Sequence, residues 1–193
     1  MEIEYNEEFY NKTRSFLVSL MSILYNTSGY GMENIPVDRN YILVGNHLHI
    51  LDSVLIATYV DDNLRFMVDN KLYRYRLWEY FFKRLGTIGI NPERTDIKAV
   101  KESLDIIKNN NMVIFPEGMT HKYEEDVDFK PGIARLARLA NALVVPFGIK
   151  GSYRLFSDLQ IIFGEPIDFK TIDLPREEYD HYLEDTVRKL EKW

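Results

Sequence analysis

The sequence predicts an α/β layered domain, a single mostly parallel central sheet flanked by helices. Two observations carry that expectation. Short runs of β-branched and apolar residues alternate with segments of helical period, the order that builds parallel sheets from strand–helix–strand units. Three clusters of polar, chemistry-bearing residues each follow one of the expected strands, and in open α/β sheets ligands bind beyond the carboxyl ends of strands. The chain has 193 residues, enough for one domain with a sizeable core, and shows no internal repeat, low-complexity run or linker.

The elements follow in chain order. Ser15 to Met32 carries no charge, but its strongly apolar part, Phe16 to Tyr25, is far short of the ~20 residues that span a bilayer. Ser15, Ser19, Ser22 and Asn26 fall on a polar stripe, while Phe16, Leu20 and Ile23 join Leu17, Met21 and Leu24 in a broad apolar face. The segment is expected to be an amphipathic helix, packed on the domain core or lying in a membrane interface. Tyr41–Gly45 reads as a buried strand, followed by a helix from about Asp52 to Val60. Arg65–Val68 is a short strand, residues 72–84 a helix, and Thr87–Ile90 a strand. Thr95 can cap a helix in which Ile97, Val100, Leu104 and Ile107 recur at helical spacing, ended by Asn109-Asn110-Asn111. Met112–Phe115 is a strand and Ile133–Ala140 a helix. Leu143–Ile149 is a strand interrupted by Pro146, and Leu159–Phe163 is another. A last helix runs from about Arg176, with Tyr179, Leu183, Val187 and Leu190 on one face.

Charge and composition narrow the function classes. The net charge of −6 argues against nucleic acid as a partner. Yet Arg65 to Leu85 holds Arg65, Lys71, Arg74, Arg76, Lys83 and Arg84 against only Asp69 and Glu79, a basic patch suited to an anionic ligand or surface. The same stretch is rich in Tyr, Trp and Phe, which favour bilayer interfaces; the alternative is a core helix with its arginines snorkelling outward. Cysteine is absent, so a catalytic Cys, a disulfide framework and a thiolate metal site are excluded, and a reducing compartment fits. The acidic start, MEIEYNEEF, lacks the basic segment of a secretory leader, and none is expected.

The first cluster is Asn46-His47, four residues, then Asp52, where a strand hands over to a helix. A histidine can take a proton from an alcohol, and works best when a carboxylate holds its other ring nitrogen. The spacing is feasible if His47 lies in the turn and Asp52 in the first helical turn. Taken alone, the pair reads more readily as a core histidine and a capping aspartate. His49 makes a second reading possible, as a metal partner or a rival base. Neither Ser nor Cys accompanies the pair as a nucleophile, which points to direct attack by a substrate hydroxyl.

Asn46-His47-x-x-x-x-Asp52, then Arg94, Phe115-Pro116-Glu117-Gly118 and Val145-Pro146 occur in that order. Together they resemble the glycerolipid acyltransferase family, the 1-acyl-sn-glycerol-3-phosphate acyltransferases and their relatives. Leu85-Gly86-Thr87-Ile88, Phe129-Lys130-Pro131-Gly132 and Phe163-Gly164-Glu165-Pro166-Ile167 resemble further blocks, so the likeness covers roughly residues 35–168. It implies that His47 is the general base and Asp52 its orienting partner. It also implies a substrate site drawn from Asn46, Arg94, Phe115, Pro116, Glu117 and Gly118, with Arg94 holding the acceptor phosphate through its planar fork. Residues 1–30 would then be an amphipathic helical segment and 31–193 the acyltransferase domain. The implied reaction passes a fatty acyl group from acyl-CoA or acyl carrier protein to lysophosphatidic acid, with no metal and no cofactor beyond that co-substrate. Its partners would be a membrane lipid and the membrane surface, with the protein peripheral on the cytoplasmic face. The departures touch the acceptor side: where the family usually continues with Thr-Arg, this chain has Met119-Thr120-His121-Lys122. Other acceptors, or a lipid-binding protein without turnover, are the alternative readings.

Overall fold

The computed structural model describes residues 4–91, 97–120 and 128–193. In chain order the elements are α1 (Glu7–Leu24), β1 (Asn26–Tyr30), β2 (Tyr41–Gly45), α2 (Asp52–Tyr59), β3 (Arg65–Asp69), α3 (Arg76–Arg84), β4 (Ile88–Ile90), α4 (Ile97–Ile107), β5 (Met112–Ile114), α5 (Ile133–Ala140), β6 (Leu143–Gly151), β7 (Asp158–Phe163) and α6 (Tyr179–Glu191). The strands form one seven-stranded sheet in the order β1-β7-β6-β2-β5-β3-β4. Every pairing is parallel except β6 with β7. The α/β fold and its mostly parallel sheet are therefore as the alternation predicts.

Side chains alternate across each strand, so β2 feeds two cores. Ile42 and Val44 join buried residues of α4, α5 and α6 on one face, among them Ile107, Leu136, Ala137, Leu183 and Val187. Tyr41 and Leu43 face the other way, against Leu55 and Ile56 of α2 and Met21 of α1. All five β2 residues are buried, the mark of a central strand covered on both faces. Where β2 ends, Gly45 lets β6 approach: a Cβ there would collide with the ring and carbonyl of Phe147.

The N-terminal reading needs one correction. The helix starts earlier than expected, at Glu7, where Asn6 accepts a hydrogen bond from the Phe9 N–H at 2.8 Å. It ends at Leu24, so Asn26 belongs to no helical stripe. Residues 26–30 are instead strand β1, paired with β7 from Asn26↔Asp158 to Tyr30↔Ile162. Asn-Thr-Ser-Gly-Tyr has little strand propensity; the open edge of β7 supplies the pairing that the local sequence does not.

Pro146 does not interrupt β6 either. Phe147 pairs with Phe163 while Val144 bridges Ile167, so the chain after β7 carries one extra residue opposite the proline. The bulge lies where Pro146 has no N–H to give, and its carbonyl still accepts from Gly164 N at 2.8 Å.

Candidate active site

The strands β6, β2 and β5 are neighbours and run parallel, so their carboxyl ends share one edge of the sheet. The chain leaves β2 into Asn46-His47, leaves β5 into Phe115-Pro116-Glu117-Gly118, and leaves β6 into Ser152-Tyr153. The sheet thus brings together two of the three clusters expected from sequence, plus a residue that sequence reading did not single out.

His47 Nδ1 lies 2.8 Å from Asp52 Oδ2. Asp52 is the first residue of α2 and its side chain is 0% exposed, against 17% for His47. The same Oδ2 accepts the backbone N–H of Leu48 at 2.7 Å and of His49 at 2.9 Å. Two backbone bonds and one imidazole bond hold a buried carboxylate where isolated burial would be costly. With Nδ1 donating to Asp52, the His47 ring presents the lone pair of Nε2 outward, the tautomer a general base needs. Phe115 stacks on the other side of that ring, 3.9 Å between centroids and 15° between planes.

The turn itself is tied down from both flanks. Glu117, buried, accepts the His47 N–H at 2.7 Å through Oε2. Asn46, also buried, donates from Nδ2 to the Ile149 carbonyl at 2.8 Å and accepts the Ile149 N–H at 2.7 Å. Its amide thereby extends the β2–β6 pairing by one side chain. Expected among the substrate-binding residues, Asn46 is placed by the structure on the β6 backbone. Gly118 closes the turn that Pro116 and Glu117 occupy, its N–H on the Phe115 carbonyl at 3.1 Å and its φ at 72°. A side chain at 118 would also run into the Lys130 ammonium.

The two histidines part company. Leu51 donates its N–H to His49 Nδ1 at 3.2 Å, so the His49 proton belongs on Nε2 and the ring offers no open lone pair while that bond stands. His49 stacks on Tyr153, away from the Phe115 stack that holds His47. Among the described residues, no group of three or more His, Asp or Glu is placed to hold a metal ion. The N–H groups of residues 47, 48, 49 and 118 each serve a partner within the turns, so none of them is idle as an oxyanion donor. Arg94, His121 and Lys122 lie outside the described residues.

Tyr153 is what sequence reading missed. Its hydroxyl donates to Asp52 Oδ1 across 101 positions of sequence. Burial first, then the Asp52 charge, push its ionisation well above the ordinary tyrosine range, so it is a neutral donor. No local motif announces such a contact; only the β6–β2 adjacency creates it.

Against known proteins, residues 27–150 match the family model described as Acyltransferase. A 1-acyl-sn-glycerol-3-phosphate acyltransferase of Streptococcus pneumoniae is 28% identical over 180 residues, 88% of this chain and 67% of that protein. Proteins of the same name from Borreliella burgdorferi and Cocos nucifera are 22% and 24% identical over 65% and 74% of this chain, which spans about half of each (52% and 50%). The crystal structure of the 1-acyl-sn-glycerophosphate (LPA) acyltransferase, PlsC, from Thermotoga maritima superposes with a TM-score of 0.71 at 25% identity. That match covers 96% of this chain and 77% of the other.

Proposed function

The chain belongs to the acyltransferase family, and from that premise we propose that it acylates the free hydroxyl of 1-acyl-sn-glycerol 3-phosphate, giving phosphatidic acid in phospholipid synthesis. The observation that carries the reading is the 2.8 Å bond from His47 Nδ1 to the buried Asp52, which leaves Nε2 open at the carboxyl edge of the sheet. The acceptor hydroxyl attacks the thioester carbonyl carbon of acyl-CoA or acyl carrier protein while its proton passes to His47 Nε2. Asp52 steadies the imidazolium that forms. Collapse of the tetrahedral adduct breaks the carbon–sulfur bond, and Nε2 returns the proton to the departing thiolate. The step balances without an acyl-enzyme, a metal or any cofactor beyond the acyl donor.

The other residues position. Glu117 and Asn46 fix the turn that carries His47, and Phe115 fixes its ring. Pro116 and Gly118 shape the acceptor side, and Arg94 holds the acceptor phosphate. The three curated relatives named above all bear the name of this activity.

The protein acts as a peripheral protein on the cytoplasmic face of a membrane, where its lipid substrate resides. Exposed Phe16, Leu20 and Ile23 on α1, exposed Leu77 and Trp78 on α3, and the basic residues of the α3 region support this. The cysteine-free sequence suits a reducing compartment. Among the described residues no helix is long and apolar enough to cross a membrane.

A second reading keeps the chemistry and changes the acceptor to glycerol 3-phosphate, another lysophospholipid or a lyso-aminolipid. Met119-Thr120, in place of the family's usual Thr-Arg, favours it. The test is thiol release from a long-chain acyl-CoA with detergent-dispersed lysophosphatidic acid, wild type beside His47→Ala. Acceptor-dependent release lost in the variant is expected. Release from wild type with another acceptor alone selects the second reading. Release by His47→Ala at the wild-type rate would remove the base from His47.

A further inference from the structure

The two oxygens of Asp52 are served differently. Oδ2 takes His47 Nδ1, Leu48 N and His49 N. Oδ1 takes the Tyr153 hydroxyl. The three donors on Oδ2 come from residues 47 to 49, within the turn that the carboxylate itself holds. Tyr153 comes from the far end of β6, on a separate part of the sheet. A carboxylate rotates about its last bond in a broad well, so donors at one oxygen leave its plane loosely set. A donor at each oxygen sets the plane, and with it the line from Oδ2 to Nδ1.

The ring of Tyr153 is itself held. His49 stacks on it at 4.4 Å and 21°. Tyr25, the residue that follows α1, meets it edge-on at 5.8 Å and 74°, and donates its hydroxyl to the Tyr153 carbonyl at 3.4 Å. The phenol is therefore a fixed donor aimed at Oδ1 from outside the catalytic turn.

We infer that Tyr153 is a positioning residue for the acyl transfer: its hydroxyl fixes the Asp52 carboxylate and, through it, the His47 imidazole. Its hydroxyl is committed to Asp52, so the role assigned to it is on the carboxylate and not on acyl donor or acceptor. This rests on the acyltransferase reading of His47 and Asp52. Without the hydroxyl, buried Oδ1 loses its donor, and the carboxylate turns toward whatever else can serve it. The imidazole then spends less time in the attacking geometry. Substrate affinity should change little, because Pro116 and Gly118 on the acceptor side are not partners of this hydroxyl.

The test is Tyr153→Phe, which keeps the ring, the His49 stack and the Tyr25 contact and removes one hydroxyl. Two readouts are needed. For kcat we expect a fall of about ten- to a hundredfold, the size found when an outer partner that orients a metal-bound ligand is lost, with both KM values within about twofold. In the resting protein we expect the imidazole nitrogen shifts of His47, assigned by NMR through their loss in His47→Ala, to move. Circular dichroism and a thermal melt establish that Tyr153→Phe is folded. Wild-type kcat overturns the inference, and so do unmoved His47 shifts, because a fall in rate alone is what a general structural injury produces. Should wild type itself transfer no acyl group to any acceptor, the functional reading fails by that result. The His47 shifts still decide whether Tyr153 positions the pair.

Discussion

His47 and Asp52 share one hydrogen bond, yet the fold depends on them unequally. Removing the imidazole strips a partly exposed ring from Asp52 and Phe115. Removing the carboxylate strands Leu48 N–H, His49 N–H and the Tyr153 hydroxyl together, all of them around a side chain with no exposed surface. Unmet buried donors cost about 1–3 kcal/mol each, part of which relaxation recovers, so Asp52→Ala should lose about 3 kcal/mol of stability. His47→Ala should lose no more than about 1 kcal/mol. Urea denaturation of the two variants beside wild type measures this. Equal midpoints would mean that Asp52 serves chemistry alone. The unequal roles also explain what a reader of the sequence can find. The pair is legible because both members sit in one turn. Tyr153 and the Asn46–Ile149 bonds are not, because each joins residues more than a hundred positions apart.

Among the elements, α1 and α3 each divide between the two readings that the sequence leaves open. The broad apolar face of α1 splits. Met21 is buried and Leu17 and Leu24 are half-buried, while Phe16 is 67% exposed and Leu20 and Ile23 are exposed beside it. Arg14 fastens the packed half by donating to the carbonyls of Ala57 and Val60 at the end of α2, at 2.8 and 3.1 Å. Helix α3 buries none of its residues fully, and Leu77 is 77% exposed. It leans on α1 through Phe81 against Phe9 and leaves Leu77 and Trp78 outward, with exposed Arg74 and Arg76 nearby. Exposed apolar groups beside arginines suit an anionic bilayer surface, where each cation adds about 1 kcal/mol. The prediction is that the protein sediments with phosphatidylglycerol vesicles more than with phosphatidylcholine vesicles. Leu77→Glu with Trp78→Glu, or Phe16→Glu with Ile23→Glu, should weaken binding about tenfold or more, since each buried apolar side chain is worth about 1.5–3 kcal/mol. Vesicle binding unchanged in both double variants would assign these faces to something other than lipid. Strand β1 lay beyond sequence reading for the opposite reason. Its residues have no pattern to read, and its existence depends on an edge that β7 provides.

At the scale of the whole molecule, the open question is whether the N-terminal segment is an appendage or a part of the fold. Strand alternation in the sequence locates the layers and the strand ends, and so the edge where the site lies. It says nothing of strand order, and strand order decides this question. β1 lies beside β7, so the N-terminal segment closes one edge of the sheet. Met21 and Tyr25 belong to the same buried cluster as Leu43, Phe147 and Phe163. Tyr10 donates its hydroxyl toward the Asp62 carbonyl and accepts the Leu64 N–H at 3.0 Å, tying α1 to the start of β3. An element that shares its core with the central strands unfolds with them, because exposing it costs the core its contacts. Urea unfolding followed by far-ultraviolet circular dichroism should therefore coincide with that followed by fluorescence of Trp78 and Trp193. These tryptophans report on different parts of the fold, one in α3 beside α1 and one against Tyr30 of β1. Removing residues 1–25 should leave a chain that does not fold cooperatively, since it takes α1 from the face it covers together with α2 and frees β1 from the helix that precedes it. A separate early transition in the full chain, or a stable truncated domain, would instead make α1 a detachable arm whose business is the membrane alone.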